Sequence, residues 1–597
     1  MQSLAEIMAQ MRAEAVQSAV AAEEPQSGAE RQRSYKRRQR AKKKRNIAIL
    51  DMETDPFDNV ARTEILPFCA CLYSREFETI VIWEEDYEIF VNRLMAAILG
   101  LPDAFTIYAH NGGKFDFMFL IHKLRGEVAF KGRGIMRASI GPHELRDSYH
   151  IIPERLANLK KEKFDYEAMK KKNRAKLKAE IIAYLISDCE NLLYFVEKFI
   201  DKFGFKISVG AAAMAKLNES YKVEKVTPFT DERLRKFFYG GRVQCIQGAG
   251  YFVGPLKLYD VNSMYPFVMA TKRHPIGSEY FHRSGKPNAQ TFFLKLHCEN
   301  NGAFVARDEE GNLTTDIRQG EFFTTIYEYE MALELDLISN VEVLECVDCF
   351  SSTTFEKFVT PLYELRAAEK DHLNSLSVGS AEWETCNSEM LFLKLLLNNA
   401  YGKFAQNPRR YKEHYLSDPG VRPEDEQNPY ELEFQGENYW IWSRPAPEMR
   451  FNNVGTAASI TGAARSVLMR AIHSAKNPIY CDTDSLICEE LRDHELHKSK
   501  LGAWDLEKEI SELIICGKKL YAYKDLSGKE TKIKSKGTGD LSWDDMLAML
   551  GGEITLKYNK APTLTRTRQQ RYIQRRIGRT APLNLARLPH MQGKIAI

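Results

Sequence analysis

No apolar run in the 597 residues approaches the roughly 20 residues that a membrane-spanning helix needs. The first residues do not resemble a secretory signal peptide, and five Glu within residues 1–30 argue against a mitochondrial transit peptide. A GxxxxGK[ST] loop is missing, which excludes a P-loop ATPase motor. Paired cysteines at zinc-site spacing are missing too. The 11 cysteines are scattered, and the single CxxC, Cys346 and Cys349, has no second pair. That usage fits a reducing, cytoplasmic-type compartment. Acid is absent from two stretches. Residues 31–45 hold ten Lys or Arg and no Asp or Glu, and the 44 residues after Glu553 repeat that count. A net charge of only +3 hides both. Two basic ends on a nearly neutral body predict contact with a polyanion, although a basic tail can also be merely solvated. Residues 1–30, rich in Ala, Gln and Glu, read as disordered.

The body is of ordinary globular composition, 44% hydrophobic and 28% charged, and long enough for several domains. Its most pointed stretch is YCDTDS at 480–485. On a strand, Asp482 and Asp484 would share a face, and two carboxylates side by side call for a divalent cation between them. A β-hairpin turn is the competing reading, because Asp and Ser favour turns.

More carboxylates stand in the first third. NIAILDM at 46–52 reads as a strand ending at Asp51, with Glu53 on the same face. The NGG turn at 111–113 leads into an apolar helix that begins near Asp116. In the helical stretch 179–199, Tyr184 and Asp188 are four apart and share a face. Four acids and a tyrosine can thus converge as in a two-metal phosphodiester hydrolase, where metals about 3.5–4 Å apart are held by acids.

Around YCDTDS the pattern continues. Asp260 ends a strand-like run in KLYDVNSMYPFVM, followed by Ser263, Tyr265 and Pro266. Lys394, Asn398 and Tyr401 fall on one helical face, and Arg366 and Lys370 on another. Cations beside a ring suit a triphosphate and a base, and each helix alone could equally be a solvated face. KKLYAY at 518–523 alternates Lys519 and Tyr521 along a strand, which suits a nucleic-acid backbone or an exposed edge strand.

Taken together, these residues resemble a family B DNA polymerase from about residue 46 to 597. DMET (51–54), NGGKFD (111–116) and YLISD (184–188) are similar to its exonuclease motifs DxE, NxxxFD and YxxxD. DVNSMYP (260–266) resembles DxxSLYP with Met for Leu, and KLLLNNAYG (394–402) resembles KxxxNSxYG with Asn399 for Ser. YCDTDS and KLY (519–521) match the remaining two, giving seven motifs in order. Within the family the chain looks like the protein-primed phage branch. YGGR (239–242) resembles its YxGG motif and TGAAR (461–465) its Arg-bearing motif. Gaps of about 127 and 77 residues between the polymerase motifs leave room for that branch's two insertions. DSYHII (147–152) is the nearest match to an [ST]Lxx-apolar motif, with Tyr149 in place of Leu, and no lysine in the run at 160–178 can be singled out for the exonuclease.

The resemblance implies an α/β multidomain chain: an RNase H-like 3′→5′ exonuclease plus a right-hand polymerase. The implied division is a basic tail (1–45), exonuclease (46–205), palm (206–271 and 451–540), an insertion that contacts the priming protein (272–352), fingers (353–405), an insertion that helps encircle DNA (406–450) and thumb (541–597). Two divalent ions, magnesium or manganese, are implied at each site. Asp260, Asp484 and the Val261 carbonyl would hold the polymerase pair, with Asp482 in support, and Asp51, Glu53, Asp116 and Asp188 the exonuclease pair beside Tyr184. Tyr265, Arg366, Lys370, Lys394, Asn398 and Tyr401 would bind the deoxynucleotide, with Tyr265 rejecting ribose. Asn111, Phe115, Ser148, Tyr239, Gly240, Gly241, Arg465, Lys519 and Tyr521 would touch DNA. The expected partners are template-primer DNA, deoxynucleotides and a terminal priming protein, for a monomer without a membrane anchor in the cytoplasm of a host cell. A polymerase using an ordinary primer, a nuclease with a polymerase remnant and a structural DNA-binding protein are the competing readings. Intact Asp260, Asp482 and Asp484 weigh against the last two.

Overall fold

The computed structural model describes residues 46–55, 64–154, 164–425, 428–446, 452–537, 541–560 and 571–587. The disordered tail expected over 1–45 lies outside them, as does part of the lysine-rich run at 160–178. The chain forms two compact units. One comprises Met1–Ala212, Arg409–Pro447 and Lys557–Ile573, and the other comprises Ala213–Pro408, Glu448–Leu556 and Gln574–Ile597.

The first unit is organised by the strand Asn46–Thr54. Aliphatic residues at 47–50 make it suited to burial on both faces, and Ala48, Ile49 and Leu50 are fully enclosed. It pairs antiparallel with Pro67–Tyr73, which continues to Ile80–Trp83. On its other side it runs parallel to Phe105–Ala109, and that strand runs parallel to His143–Asp147. This is the expected RNase H-like order, three antiparallel strands followed by two parallel ones. The helix Lys178–Phe203 packs across Asn46–Thr54 and Pro67–Tyr73, and Gly204, at φ +70°, ends it. Its buried positions recur at helical spacing and include Tyr184 and Asp188.

The sheet does not stop there. Gly134–Ile140 and Gly126–Lys131 extend it beyond His143–Asp147, and Lys412–Ser417 then pairs antiparallel with Gly126–Lys131. Trp440–Pro445 and Glu431–Gln435 complete a ten-stranded sheet. Leu416 and Ile441 enter the first unit's core beside Val128. The 406–450 segment is therefore built largely as an extension of this sheet.

The second unit is centred on a seven-stranded antiparallel sheet, in the order Thr531–Ser535, Leu520–Asp525, Trp504–Gly517, Gly250–Val261, Ser485–Cys488, Tyr480–Asp482, Val243–Cys245. The almost wholly buried helix Val454–Ser474 is built from small residues. A Cβ on Gly462 would meet the Thr325 side chain at 2.3 Å, and one on Gly455 would meet the Tyr280 hydroxyl at 2.2 Å. These two glycines let the helix lie hard against the 272–352 segment. That segment holds a four-stranded sheet and the helix Ile326–Glu334, whose N-terminus has a capping box of Thr325 and Glu328. The helices Glu356–Ser375 and Ala381–Phe404 form a hairpin turned at 376–380, where Ser380 caps the second helix and Gly379 takes φ +85°. No described helix is long and apolar enough to cross a membrane.

Candidate active sites

In the first unit, Asp51 and Glu53 point to one face of the central strand while Met52, between them, is buried on the other. Asp116 opens the short helix Asp116–Leu120, presented by the NGG turn, in which Asn111 takes φ +56°. Asp116 is 2% exposed, and its Oδ1 is buried with no hydrogen-bond partner. Burial and then the Asp51 charge push its carboxyl well above the usual range. Tyr184 is also buried. Its hydroxyl lies 3.1 Å from that of Tyr166, and its ring stacks on Phe164 with centroids 4.2 Å apart. Burial, the Tyr166 bond and then the Asp188 charge raise the Tyr184 phenol, with Glu53 acting more weakly. All five predicted groups therefore gather in one place. An orphaned carboxylate oxygen among hard acidic donors fits a divalent cation, which Asp51, Glu53, Asp116 and Asp188 would hold.

Sequence reasoning missed Asp147. It is 4% exposed, accepts from the Tyr149 N–H at 2.9 Å, and is bonded by the amides of Gly113 and Asn111. Burial raises it to about 6 against those bonds. Its role is to hold the NGG turn that presents Asp116. Ser148 needs correction. Expected on DNA, it is fully enclosed, with Oγ bonded to the Ala109 carbonyl at 3.2 Å and to His110 at 3.1 Å, so it cannot reach a ligand. Asn111 is exposed, and Phe115 is half-buried against Phe119.

In the second unit the hairpin reading of YCDTDS prevails. Tyr480–Asp482 and Ser485–Cys488 pair, with Asp482 opposite Ser485, and Thr483 and Asp484 form the turn. Strand alternation thus does not account for Asp484. A β-branched residue at φ +65°, Thr483, holds it there, a costly conformation of the kind found at functional sites. The Thr483 N–H donates to the Arg242 carbonyl, the Val261 N–H to the Asp484 carbonyl. A Cβ on Gly241 would meet the Thr483 side chain at 2.6 Å, which explains a glycine there in YGGR.

Asp260 lies opposite Ser485 on one neighbouring strand and Asp505 on the other. Burial and then Asp484 raise Asp260 to about 8, with smaller effects from Glu507 and Asp505. Asp484 rises to about 6, chiefly by burial. Two partly buried carboxylates that resist joint ionisation, with no cation salt-bridged to either among the described residues, fit divalent metal; Asp260 and Asp484 would hold it. Asp505 escaped sequence reading because only strand register places it opposite Asp260, and Glu507 because it sits at the register shift between Leu506 and Lys508. Asp482 differs from its neighbours: the Lys519 ammonium grips both its oxygens, at 2.5 and 2.8 Å.

Tyr265 stacks on Tyr401, with centroids 4.1 Å apart. Arg366 donates to Ser263 Oγ at 3.4 Å, bringing the helix Glu356–Ser375 to the residue that follows Asp260 by three. Lys370, Lys394 and Asn398 are exposed on the helices Glu356–Ser375 and Ala381–Phe404.

Three further expectations of DNA contact fail on burial. Arg465 is 3% exposed. It makes a two-pronged ion pair with equally buried Glu328, at 2.7 and 2.8 Å, and donates to the carbonyls of Tyr239 and Gly240. Tyr239 is 5% exposed beneath that guanidinium. Tyr521 is 7% exposed, packed on Tyr480 in the sheet's core. Lys519 occupies the turn before Tyr521 at φ +58°, so the two do not alternate along one strand face. Gly240 and Gly241 are half-buried, and Gly240 borders open space. Arg465→Ala would leave Glu328 charged and buried, and is expected to cost about 3–5 kcal/mol of stability in denaturant unfolding. The apolar double replacement Arg465→Met with Glu328→Leu should recover most of it.

A cavity of about 600 Å³ beside the Lys519 turn is lined by Lys518, Lys519, Lys536, Arg575, Arg576 and Arg579, with Glu553 the one acid. The acid-free C-terminus was its sequence signal.

Residues 159–501 match the family described as "DNA polymerase type B, organellar and viral". The "DNA-directed DNA polymerase" of Enterobacteria phage PRD1 is 37% identical over 503 residues, covering 82% of this chain and 85% of that protein. A "Probable DNA polymerase" of Agaricus bitorquis is 22% identical, covering 76% and 68%. Among solved structures, Phi29 DNA polymerase complexed with primer-template DNA and incoming nucleotide substrates superposes with a TM-score of 0.65 at 16% identity, covering 90% of this chain and all of that one.

Proposed function

The chain belongs to the organellar and viral type B DNA polymerases, and on that premise we propose that its second unit extends a primer with deoxynucleotides while its first removes nucleotides from 3′ ends. The carrying observation is the Asp260–Asp484 pair: Asp260 is raised to about 8 by burial and then by the Asp484 charge, and Asp484 to about 6 chiefly by burial. Two magnesium or manganese ions per site are the cofactor reading. Bound there, such ions acidify the primer 3′-hydroxyl and neutralise charge on the transferring phosphoryl group.

The chain's own residues supply the rest. Asp260 and Asp484 fix where the primer end and the triphosphate meet, with the Val261 carbonyl as a further donor. Lys519 neutralises Asp482, so the two remaining acids stay poised for metal. Arg366, Lys370 and Lys394 offset the triphosphate's charge from the finger helices, with Asn398 beside them. Tyr401 backs the ring of Tyr265, and Tyr265 closes the space a ribose 2′-hydroxyl would need. Tyr265→Val should therefore reduce discrimination against ribonucleotides by roughly 10–200-fold, the range commanded by a few atoms in a pocket. Unchanged selectivity in single-turnover incorporation would move the gate elsewhere. Lys519 and the basic cavity beside it suit the DNA backbone. Asn111 and Phe115 suit a strand end entering the first unit.

Protein priming and strand displacement are the finer part of this reading. They rest on the likeness to two phage polymerases, on YGGR and on the extra segments at 272–352 and 406–450. The proposed setting is the cytoplasm of an infected host, with a terminal protein as partner and the enzyme as monomer. The deciding experiment is extension of one primer on a single-stranded DNA circle. Products longer than the circle are expected, and products that stop at one circuit would remove strand displacement. Transfer of a deoxynucleotide to a hydroxyl side chain of a partner protein tests priming.

A further inference from the structure

The hairpin of finger helices carries a cluster that DNA synthesis leaves unused. Glu369 and His372 are three residues apart on the helix Glu356–Ser375 and share a face. Cys386 comes from the facing helix Ala381–Phe404. One carboxylate oxygen, one imidazole nitrogen and the thiol sulfur all lie within 4.8 Å of one another. We infer that Glu369, His372 and Cys386 form a transition-metal site, selective for zinc over magnesium, that clamps the two finger helices together near their turn.

The donor set is the first argument. Sulfur, nitrogen and oxygen together are what zinc accepts, whereas magnesium takes oxygen alone. A thiolate therefore separates this site chemically from the carboxylate pairs. Spacing is the second. With metal–ligand distances of about 2.0–2.3 Å, tetrahedral donors lie roughly 3.3–3.8 Å apart. Cys386 Sγ is already 3.1 Å from Glu369 Oε2. His372 is exposed in the last turn of its helix, with a ring nitrogen within 4.8 Å of both other donors.

The thiol is the third. Cys386 is 4% exposed and donates to the Glu369 carboxylate and to the Glu369 backbone carbonyl, also at 3.1 Å. The thiol proton sits where a cation would bridge sulfur and oxygen. Ligation exchanges one for the other: the S–H bond breaks, a metal–sulfur bond forms, and the proton leaves to solvent. The fourth position, on the exposed side of His372, falls to water. The site stands whether or not the polymerase reading does, because none of its three residues enters that chemistry. The opposing account is a plain thiol–carboxylate hydrogen bond beside a solvated histidine.

The full-length chain, freed of metal by a chelator and held in excess magnesium, separates the two by cobalt titration. One equivalent of cobalt should give a sulfur-to-cobalt charge-transfer band with the visible absorption of a tetrahedral site, and zinc should displace it. Cys386→Ser should abolish the band. His372→Ala removes only an exposed side chain, so the fold is safe, and should weaken cobalt binding at least about tenfold, the scale on which even indirect partners of a metal act. A wild-type chain without the band, or a band undiminished in Cys386→Ser, overturns the site. A His372→Ala chain that binds cobalt as tightly as the wild type overturns it as drawn.

Discussion

Asp484→Asn should reduce primer extension at least about 10³-fold, a loss of about 4 kcal/mol of transition-state stabilisation, while the variant still folds and still degrades 3′ ends. Asparagine keeps the shape of the turn, including the backbone bond from the Val261 N–H to the Asp484 carbonyl. What it removes is the charge that a cation would share with Asp260. The same change should stabilise the metal-free protein. Asp260 and Asp484 are raised in the fold from an ordinary 3.8 to about 8 and about 6. Their contribution to stability is thus full below the ordinary value and is lost as pH climbs through the raised ones. In chelator, the wild-type Tm should fall between about pH 4 and pH 8. Asp484→Asn should flatten that fall, because Asp260 loses its largest charged neighbour. Added magnesium should raise the wild-type Tm more at pH 8 than at pH 6 and the variant little at either. A variant that extends primers normally would sink the assignment, and one with a lower metal-free Tm would sink the account of repulsion.

Asp116→Ala is the second large effect. Degradation of single-stranded 3′ ends should fall at least about 10³-fold, again about 4 kcal/mol, with extension kept within about twofold. Asp116 is held at 2% exposure with an unpartnered Oδ1 and the Asp51 charge against it. Without metal, that acid keeps its proton well above the ordinary range. Metal uptake by the exonuclease should therefore release protons, seen calorimetrically as a binding heat that varies with the ionisation heat of the buffer. Asp116→Ala should lose most of that dependence. If extension collapsed together with degradation in this variant, the two activities would not reside in separate carboxylate sets.

The acids were legible from sequence because metal chemistry fixes residue type and local spacing at once. Asp51 and Glu53 sit on alternate positions of a true strand, and Tyr184 and Asp188 on one helical face. Asp484 was found for a wrong local reason: the pair belongs to a tight turn, and only the conformation of Thr483 reveals it. Burial of polar groups was illegible. Arg465 reads as a nucleic-acid contact until its partner is known, and Glu328 lies 137 residues away. Tyr239, Ser148 and Tyr521 misled in the same way, each enclosed by segments remote in sequence. Asp505 and Glu507 carry no motif: Asp505 matters through its register with Asp260, and Glu507 through its charge, brought near Asp260 at a register shift.

The strand Lys412–Ser417 gives the first unit a history. Its sheet begins with residue 46 and is finished only by strands that end at Pro445. During synthesis, the outer edge of Gly126–Lys131 must wait, unpaired, while about 280 intervening residues emerge. A ribosome paused anywhere in that interval displays an open β-edge, with Val128 lacking Leu416 and Ile441 as cover. An N-terminal fragment ending near residue 212 would be caught permanently at this stage. It should self-associate or recruit chaperones, although every exonuclease carboxylate is already present in it.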